Sequence, residues 1–286
     1  MTTIEKTSEF EFIEGLTAEL SSKELIFPTS LNATMKIRRA LSHPDMPSDT
    51  IVRIISAEPV LSAQILRMSN SAMYNHTGKK IVDLRAATLL LGFAVIRNIA
   101  ISVGMKQLAE HKANEQLSKQ LDGLWTRSLR VAALSCVISR HLPNSSPDKA
   151  MLAGLLHDVG KFYILNRARH YQGLFVSNAA LWEVIDQWHA EIGVAILENW
   201  DIDEDIRAAV MDHRASQLPH TTRPGLIDVV ATADFLDGHF VTDSLDDINW
   251  QALPVPLKNL QLDVEKCQIL IAETKVELGL ILRALA

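Results

Sequence analysis

The chain has 286 residues, 48% of them apolar, and a formal charge of -6, which is enough length and apolar content to bury a sizeable core without disulfide help. The negative balance argues against a nucleic-acid binder working through a broad basic field, and leaves the Arg38-Arg39 pair as a local patch or a solvated helix face. Cys136 and Cys267 have no partner cysteine at redox or zinc-ligand spacing, so both are expected as buried thiols in a reducing compartment, the cytoplasm.

The N-terminus, MTTIEKTSEFEFIEGL, is acidic and lacks a basic start followed by an apolar run, so no secretory signal is expected. Apolar residues recur at three and four positions in most segments and rarely alternate, which predicts an all-α protein. Helix starts are legible at Pro47-Ser48-Asp49, Glu58-Pro59 and Ser146-Pro147-Asp148, where a capping or acidic side chain meets a proline whose missing N–H costs little. The most apolar stretch, Ala86 to Ile96, is followed at once by Arg97 and Asn98, which predicts a buried helix too short to span a membrane.

Two softer zones, HKANEQLSKQ (His111 to Gln120) and VTDSLDDINWQALPVP (Val241 to Pro256), divide the chain. The domain reading is an N-terminal extension over 1–24, a domain over 25–238 with lobes at about 25–115 and 116–238, and a linker and helix over 239–286. The last helix carries Cys267, Leu270, Ile271, Leu278, Ile281, Leu282 and Leu285 on one stripe, to pack on its own domain or, alternatively, to form a homodimer.

The stretch GLLHDVGKFYIL, Gly154 to Leu165, sets titratable residues among leucines and glycines. On a continuous helix at about 100° per residue, Leu152, Leu155, Leu156, Val159, Phe162 and Tyr163 fall on one face. Ala150, Ala153, Gly154, His157, Asp158, Gly160 and Lys161 fall on the other, an uncrowded face. Each glycine costs a helix up to about 1 kcal/mol relative to alanine. Gly154 and Gly160 therefore answer to a close helix neighbour or to room for a metal, phosphate or ligand.

Further candidates follow downstream: His189 in WHAEIGVAILENW, His213 in IRAAVMDHRA near a helix end, and Asp234 in the apolar VVATADFLDG. A carboxylate in an apolar helix needs a cation, a donor or a metal. His43, His76, His111, His141, His170, His220 and His239 have polar surroundings that surface positions explain. Trp125, Trp188 and Trp200 are expected as core anchors.

HDVGK at His157 to Lys161, followed in order by His189, His213 and Asp234, resembles the HD superfamily of metal-dependent phosphohydrolases. Upstream, FPTSLNATMKIRRAL, IISAEPVLSAQILRMSNSAMYN and IVDLRAATLLLGFAVIRNIAI resemble the N-terminal lobe of the HDOD family, including its Asn-Ser-Ala turn at Asn70 to Ala72 and its Leu-Gly at Leu91 and Gly92. The resemblance implies an HD-related multi-helix bundle in bacterial signalling. It also implies a metal set of His157, Asp158, His189, His213 and Asp234, for a divalent ion (Fe, Mn, Zn or Mg) at partial occupancy, with Lys161 and Asp158 as the catalytic candidates.

Two departures weaken that set. The position where the family's first histidine belongs is Arg127, and His213 is followed by Arg214 where a second histidine often stands. A guanidinium stays protonated and offers no lone pair, but it pairs with a carboxylate or a phosphate. The expectation is therefore a degenerate site in a non-hydrolytic scaffold or ligand-sensing domain, with Arg127 salt-bridged to Asp158 or Asp234. Its partners would be signalling proteins on separate chains or a nucleotide-type ligand, with no membrane and no nucleic acid. The alternative is a metal-dependent phosphohydrolase acting on a nucleotide or cyclic dinucleotide phosphoester.

Overall fold

A computed structural model describes residues 3–22, 47–71, 73–109, 115–169, 178–214, 218–242 and 244–285, and among them there is no strand. Segment 27–41, with Arg38 and Arg39, lies outside the described residues, as do His43, Ala72, His111 and His170. In chain order the helices are α1 (Thr3–Ser22), α2 (Ser48–Ser56), α3 (Pro59–Ser69), α4 (Leu84–Ala109), α5 (Glu115–Arg140) and α6 (Pro147–Leu156). They continue as α7 (Val159–Ala168), α8 (Asn178–Asn199), α9 (Glu204–Asp212), α10 (Leu226–Thr242), α11 (Val255–Asn259) and α12 (Val264–Leu285).

Helices α2 to α4 close around Ile51, Ile55, Leu61, Ile65, Leu91 and Ile96. Asn70, at the end of α3, fixes the connection to α4. Its Nδ2 donates to the Leu66 and Ile81 carbonyls, each at 2.7 Å, and its Oδ1 accepts from the Ile81 N–H at 2.8 Å. Helix α4 runs well past the Arg97-Asn98 stop because the apolar pattern resumes at Ile99 and extends to Ala109. By length and composition it could therefore cross a membrane, contrary to the expectation drawn from Ala86 to Ile96, but half of its most apolar window is buried inside the fold. It bends at Gly92, whose φ of 74° and ψ of 161° are not helical.

Helix α5 packs against α6, α10 and α12. The polar zone at 111–120 is less of a break than its composition suggests, since α5 already begins at Glu115. Phe12 and Leu16 of α1 enter the same core as Leu155, Leu156, Val159 and Phe162, and Glu19 accepts from the Tyr163 hydroxyl and from Arg167. Trp200 is buried in this core, with Trp125 and Trp188 partly buried against it.

Helix α12 packs on its own domain, burying Cys267, Leu270 and Ile271. Arg140 Nη1 donates to its buried Glu277 at 2.7 Å. The predicted stripe frays toward its end, where Leu278 is partly buried and Leu282 exposed. The Ile281 and Leu285 side chains lie outside the described residues.

A Cβ on Gly92 would meet no atom within 4 Å, so only its positive φ demands glycine. Gly92→Ala is expected to lower stability by about 1–3 kcal/mol through backbone strain alone. Urea denaturation would measure this, and an unchanged midpoint would count against the kink.

Candidate functional site

The polypeptide does not carry HDVGK on one continuous helix. Helix α6 stops at Leu156, His157 caps it, and Asp158, at φ -107° and ψ 17°, leaves helical geometry before α7 resumes at Val159. The break turns both side chains inward, and each is fully buried. Consequently the two unlike faces of a continuous wheel do not exist: Ala150, Ala153, Gly154 and Lys161 are buried as thoroughly as Leu155 and Phe162.

The two glycines answer to crowding, and the uncrowded cavity expected beside them is filled by neighbouring helices. A Cβ on Gly160 would lie 1.9 Å from the His189 carbonyl oxygen, and one on Gly154 would lie 2.6 Å from Ser135 Oγ and 2.7 Å from the Val131 carbonyl oxygen. Gly160 thus lets α7 and α8 touch backbone to backbone beside His189.

All five candidate ligands converge, in two unlike halves. In the first, Arg127 on α5 sets its Nη2 2.5 Å from Asp234 Oδ1 on α10, while its Nε lies 3.8 Å from Asp158 Oδ2. His157 Nε2 stands 3.2 Å from Asp158 Oδ2 and 3.4 Å from Asp234 Oδ1. Half-exposed Arg214 places its Nε 3.5 Å from Asp234 Oδ2. Arg127, where the resemblance expects a histidine, is thus paired foremost with Asp234.

In the second half, His189 and His213 face Asp158. Among the described residues, the ligand atoms of Asp158, His189 and His213 lie within 4.8 Å of one another, close to the ~4 Å spread of opposite ligands about 2.1 Å from one ion. Both histidines place Nδ1 on a backbone carbonyl, His189 on Ile185 at 2.8 Å and His213 on Val210 at 2.7 Å. A carbonyl only accepts, so Nδ1 carries the hydrogen and Nε2 keeps a lone pair in the neutral ring. Each Nε2 is buried and makes no hydrogen bond. That is the orientation metal-bound histidines adopt. This half therefore fits a divalent ion, whereas the Arg127 half does not.

Charge separates the halves as well. Burial alone would lower the His157 pKa, but the Asp158 and Asp234 carboxylates outweigh it and push His157 up to about 9. Burial and the Lys161 ammonium instead bring His189 down to about 4 and keep it neutral. Burial opposes the charged form of Asp158, yet His157, His213 and Lys161 hold its carboxyl well below the usual range. Lys161 is not free: its Nζ straddles Asp158, 2.8 Å from Oδ1 and 2.9 Å from Oδ2.

Sequence reasoning missed Arg130 and Asp237. Arg130 Nε lies 2.6 Å from Asp237 Oδ1 and its Nη2 3.0 Å from Oδ2, a bidentate pair next to the Arg127–Asp234 contact. The signal was a matched spacing, Arg127 with Arg130 on α5 and Asp234 with Asp237 on α10, three residues apart on facing helices. His76, His141 and His220 lie at the surface as expected, His141 with Glu273, and His239 is partly buried against Phe235.

The family model for the HDOD domain matches residues 27–216. A Shewanella amazonensis protein assigned provisionally as a metal-dependent phosphohydrolase superposes with a TM-score of 0.65 at 25% identity, over 94% of this chain and 99% of that one. A Marinobacter aquaeolei protein assigned provisionally to signal transduction superposes with a TM-score of 0.60 at 18% identity, over 96% of this chain and 64% of that one, a likeness of fold alone. An uncharacterized Treponema pallidum protein is 25% identical over 245 residues, 78% of this chain; the chain spans only 45% of that relative's length.

Gly160→Ala is expected to cost about 3 kcal/mol, because a methyl group cannot share space with a carbonyl oxygen and no rotamer relieves it. Chemical denaturation would show the loss, and near-wild-type stability would mean that α7 and α8 are farther apart than described. A second expectation concerns pH in metal-free protein. His157 is raised from the ordinary 6.5 to about 9, so its contribution is complete below 6.5 and lost as pH rises toward 9. His189 is lowered from 6.5 to about 4, so its contribution is complete above 6.5 and lost as pH falls toward 4. Unfolding free energy should peak near pH 6.5, and a profile flat up to pH 9 would contradict a charged His157.

Proposed function

We propose, from the premise that the chain belongs to the HDOD family, that it is a regulatory domain of bacterial signal transduction with a degenerate HD site. In this reading one metal position has become a salt bridge and another still accepts an ion. The observation that carries it is the Arg127 guanidinium on Asp234, 2.5 Å away, where the family resemblance expects a metal-ligating histidine. A group that cannot deprotonate there repels a divalent ion. The surviving ligands would be Asp158, His189 and His213. Two imidazoles and a carboxylate suit iron, manganese or zinc better than magnesium. Bound there, the ion would supply a Lewis acid or an activated water.

The protein's own groups favour holding a ligand over turning it over. Arg127 and Arg214 would pair with the phosphate of a nucleotide-type ligand, whereas Lys161, buried against Asp158, does not present its ammonium to a substrate. Signalling proteins on separate chains, contacted through the N-terminal lobe, complete this reading; it involves neither membrane nor nucleic acid.

A phosphohydrolase acting on a nucleotide or cyclic dinucleotide phosphoester is the second reading. It is favoured by the two buried Nε2 lone pairs that face Asp158 without partners. Elemental analysis separates the two. Purified protein is expected to hold substoichiometric iron, manganese or zinc, and Arg127→His to raise retention. A full equivalent of metal in the unaltered protein, together with phosphoester hydrolysis, would establish the enzyme instead.

A further inference from the structure

Helix α12 seats Cys267, Leu270, Ile271 and Thr274 against the fold and turns its opposite side to solvent. At about 100° per residue, the middle of that outward arc runs through Glu265, Ile269, Ala272, Val276 and Gly279. Ile269 is 46% exposed and Val276 66%, and Ala272 between them is exposed as well. A solvated helix face carries polar residues along its midline, whereas this one has a single charged residue, Glu265, at its start. The steps from Glu265 to Gly279 are four, three, four and three residues, the alternation of a heptad seam. β-Branched residues hold one of the two seam positions, at Ile269 and Val276, and small ones hold the other, at Ala272 and Gly279. The inward stripe is occupied by the protein's own core, so this is a second apolar seam on the same helix. Beside its first turns lies a groove of about 270 Å³, lined by Ile138, Leu142, Leu260, Leu262, Lys266 and Ile269. Apolar surface gathered in this way marks an interaction site.

The charges flanking the seam select its occupant. Lys266 and Glu273 stand on one side, Gln268 and Lys275 on the other, and all four are exposed. Glu273 meets His141 at 2.8 Å and Lys266 donates to the Gln261 carbonyl at 2.7 Å, but both contacts lie at the surface and leave the two side chains about half exposed. A parallel second copy would set Glu265 against the partner's Glu265 inside the seam and align the two helix dipoles, both unfavourable. An antiparallel copy centred between Leu270 and Ile271 removes both conflicts. It brings Lys266 beside the partner's Glu273 and Lys275 beside the partner's Glu265, and it sets Ile269 opposite the partner's Ala272, large against small. The next antiparallel register, centred on Thr274, would instead bring Glu273 beside the partner's Glu273 and Lys275 beside the partner's Lys275. Charge thus favours one orientation and one register.

We propose that α12 pairs with α12 of a second copy of this chain, antiparallel, about a twofold axis between Leu270 and Ile271. Each contact then occurs twice, as an isologous interface requires. The C-terminal turns of the partner's helix pass over the end of α12 that borders the groove. This interface stands apart from the functional reading above, since none of the candidate ligands lies on α12.

Sedimentation equilibrium of the full chain tests the pairing. A monomer–dimer equilibrium is expected, with the dissociation constant raised at least about tenfold by Ile269→Glu or by Val276→Glu. Both positions are exposed, so these variants should fold, and thermal unfolding would verify that. Lys266→Glu should weaken the dimer by opposing the partner's Glu273, and the Lys266→Glu/Glu273→Lys double variant should restore it. Oxidative cross-linking reads the direction. A mixture of Ile269→Cys and Ala272→Cys chains should form a disulfide-linked dimer, whereas Val276→Cys alone should not, because antiparallel pairing holds its two copies about 16 Å apart along the axis. A chain that stays monomeric at tens of micromolar, or a dimer that the Ile269 and Val276 substitutions leave intact, overturns the proposal. Cross-linking of Val276→Cys to itself overturns the antiparallel arrangement.

Discussion

A carboxylate with no access to water must be compensated by the protein itself, and Asp158 is such a group. Leaving it uncompensated would cost several kcal/mol after any relaxation. The surrounding architecture answers that demand from separate elements. Lys161 comes from the next turn of α7, His157 from the adjacent residue at the break, His213 from the end of α9 and Arg127 from α5. The helix break follows from the same constraint, since the capping geometry at His157 and Asp158 turns both side chains toward these partners. Gly160 then lets α8 come close enough to bring His189 to the same point.

Stability alone gives no reason for such a centre. Replacing a buried ionic cluster by apolar side chains of similar volume is often neutral or stabilising, and each buried nitrogen without a hydrogen bond costs about 1–3 kcal/mol. His189 and His213 both leave Nε2 in that state, with Nδ1 tied to a backbone carbonyl, whereas His157 turns its Nε2 toward Asp158 and Asp234. A fold that needed only a core would place leucines there, as it does a few residues away at Leu155 and Leu156. Three rings, with His213 set edge-on to the other two at centroid distances of 5.3 and 5.6 Å, make a prepared surface for an ion, a proton or an anionic group.

The helical class was legible from residue order, because periodicity records which faces are buried; His157, Asp158, His189, His213 and Asp234 stood out singly as unusual neighbours for apolar helices, and only the family resemblance joined them into one centre. The break at Asp158 was not legible. A helical wheel assumes continuity, and neither residue is a proline or glycine that would announce an interruption. The glycines were ambiguous for a related reason: a missing side chain looks the same whether a ligand or a neighbouring backbone takes the space, and only the His189 carbonyl beside Gly160 decides it. Arg127 was readable as the partner of an aspartate, but the choice of Asp234 over Asp158 depends on the α5–α10 register, which the Arg130–Asp237 pair fixes. Register between distant helices leaves no local mark in a sequence.

The charges around the centre set how readily an ion could enter it. Asp158, Asp234 and Asp237 supply three negative charges; Arg127, Arg130 and Lys161 supply three positive ones at contact distances, before His157 or the rim residue Arg214 is counted. With His157 protonated the cluster is already net positive. A divalent cation entering beside Asp158 therefore has to displace a proton or move Lys161, and its affinity falls as that exchange becomes harder. An anion meets the opposite situation, since Arg214 is half-exposed and Arg127 keeps one buried Nη1 without a hydrogen bond. In the reading proposed above, the arginine changes more than one ligand position: it would shift the electrostatic preference of the whole centre from cations toward anions, while Asp158, His189 and His213 would still face a metal from the other side.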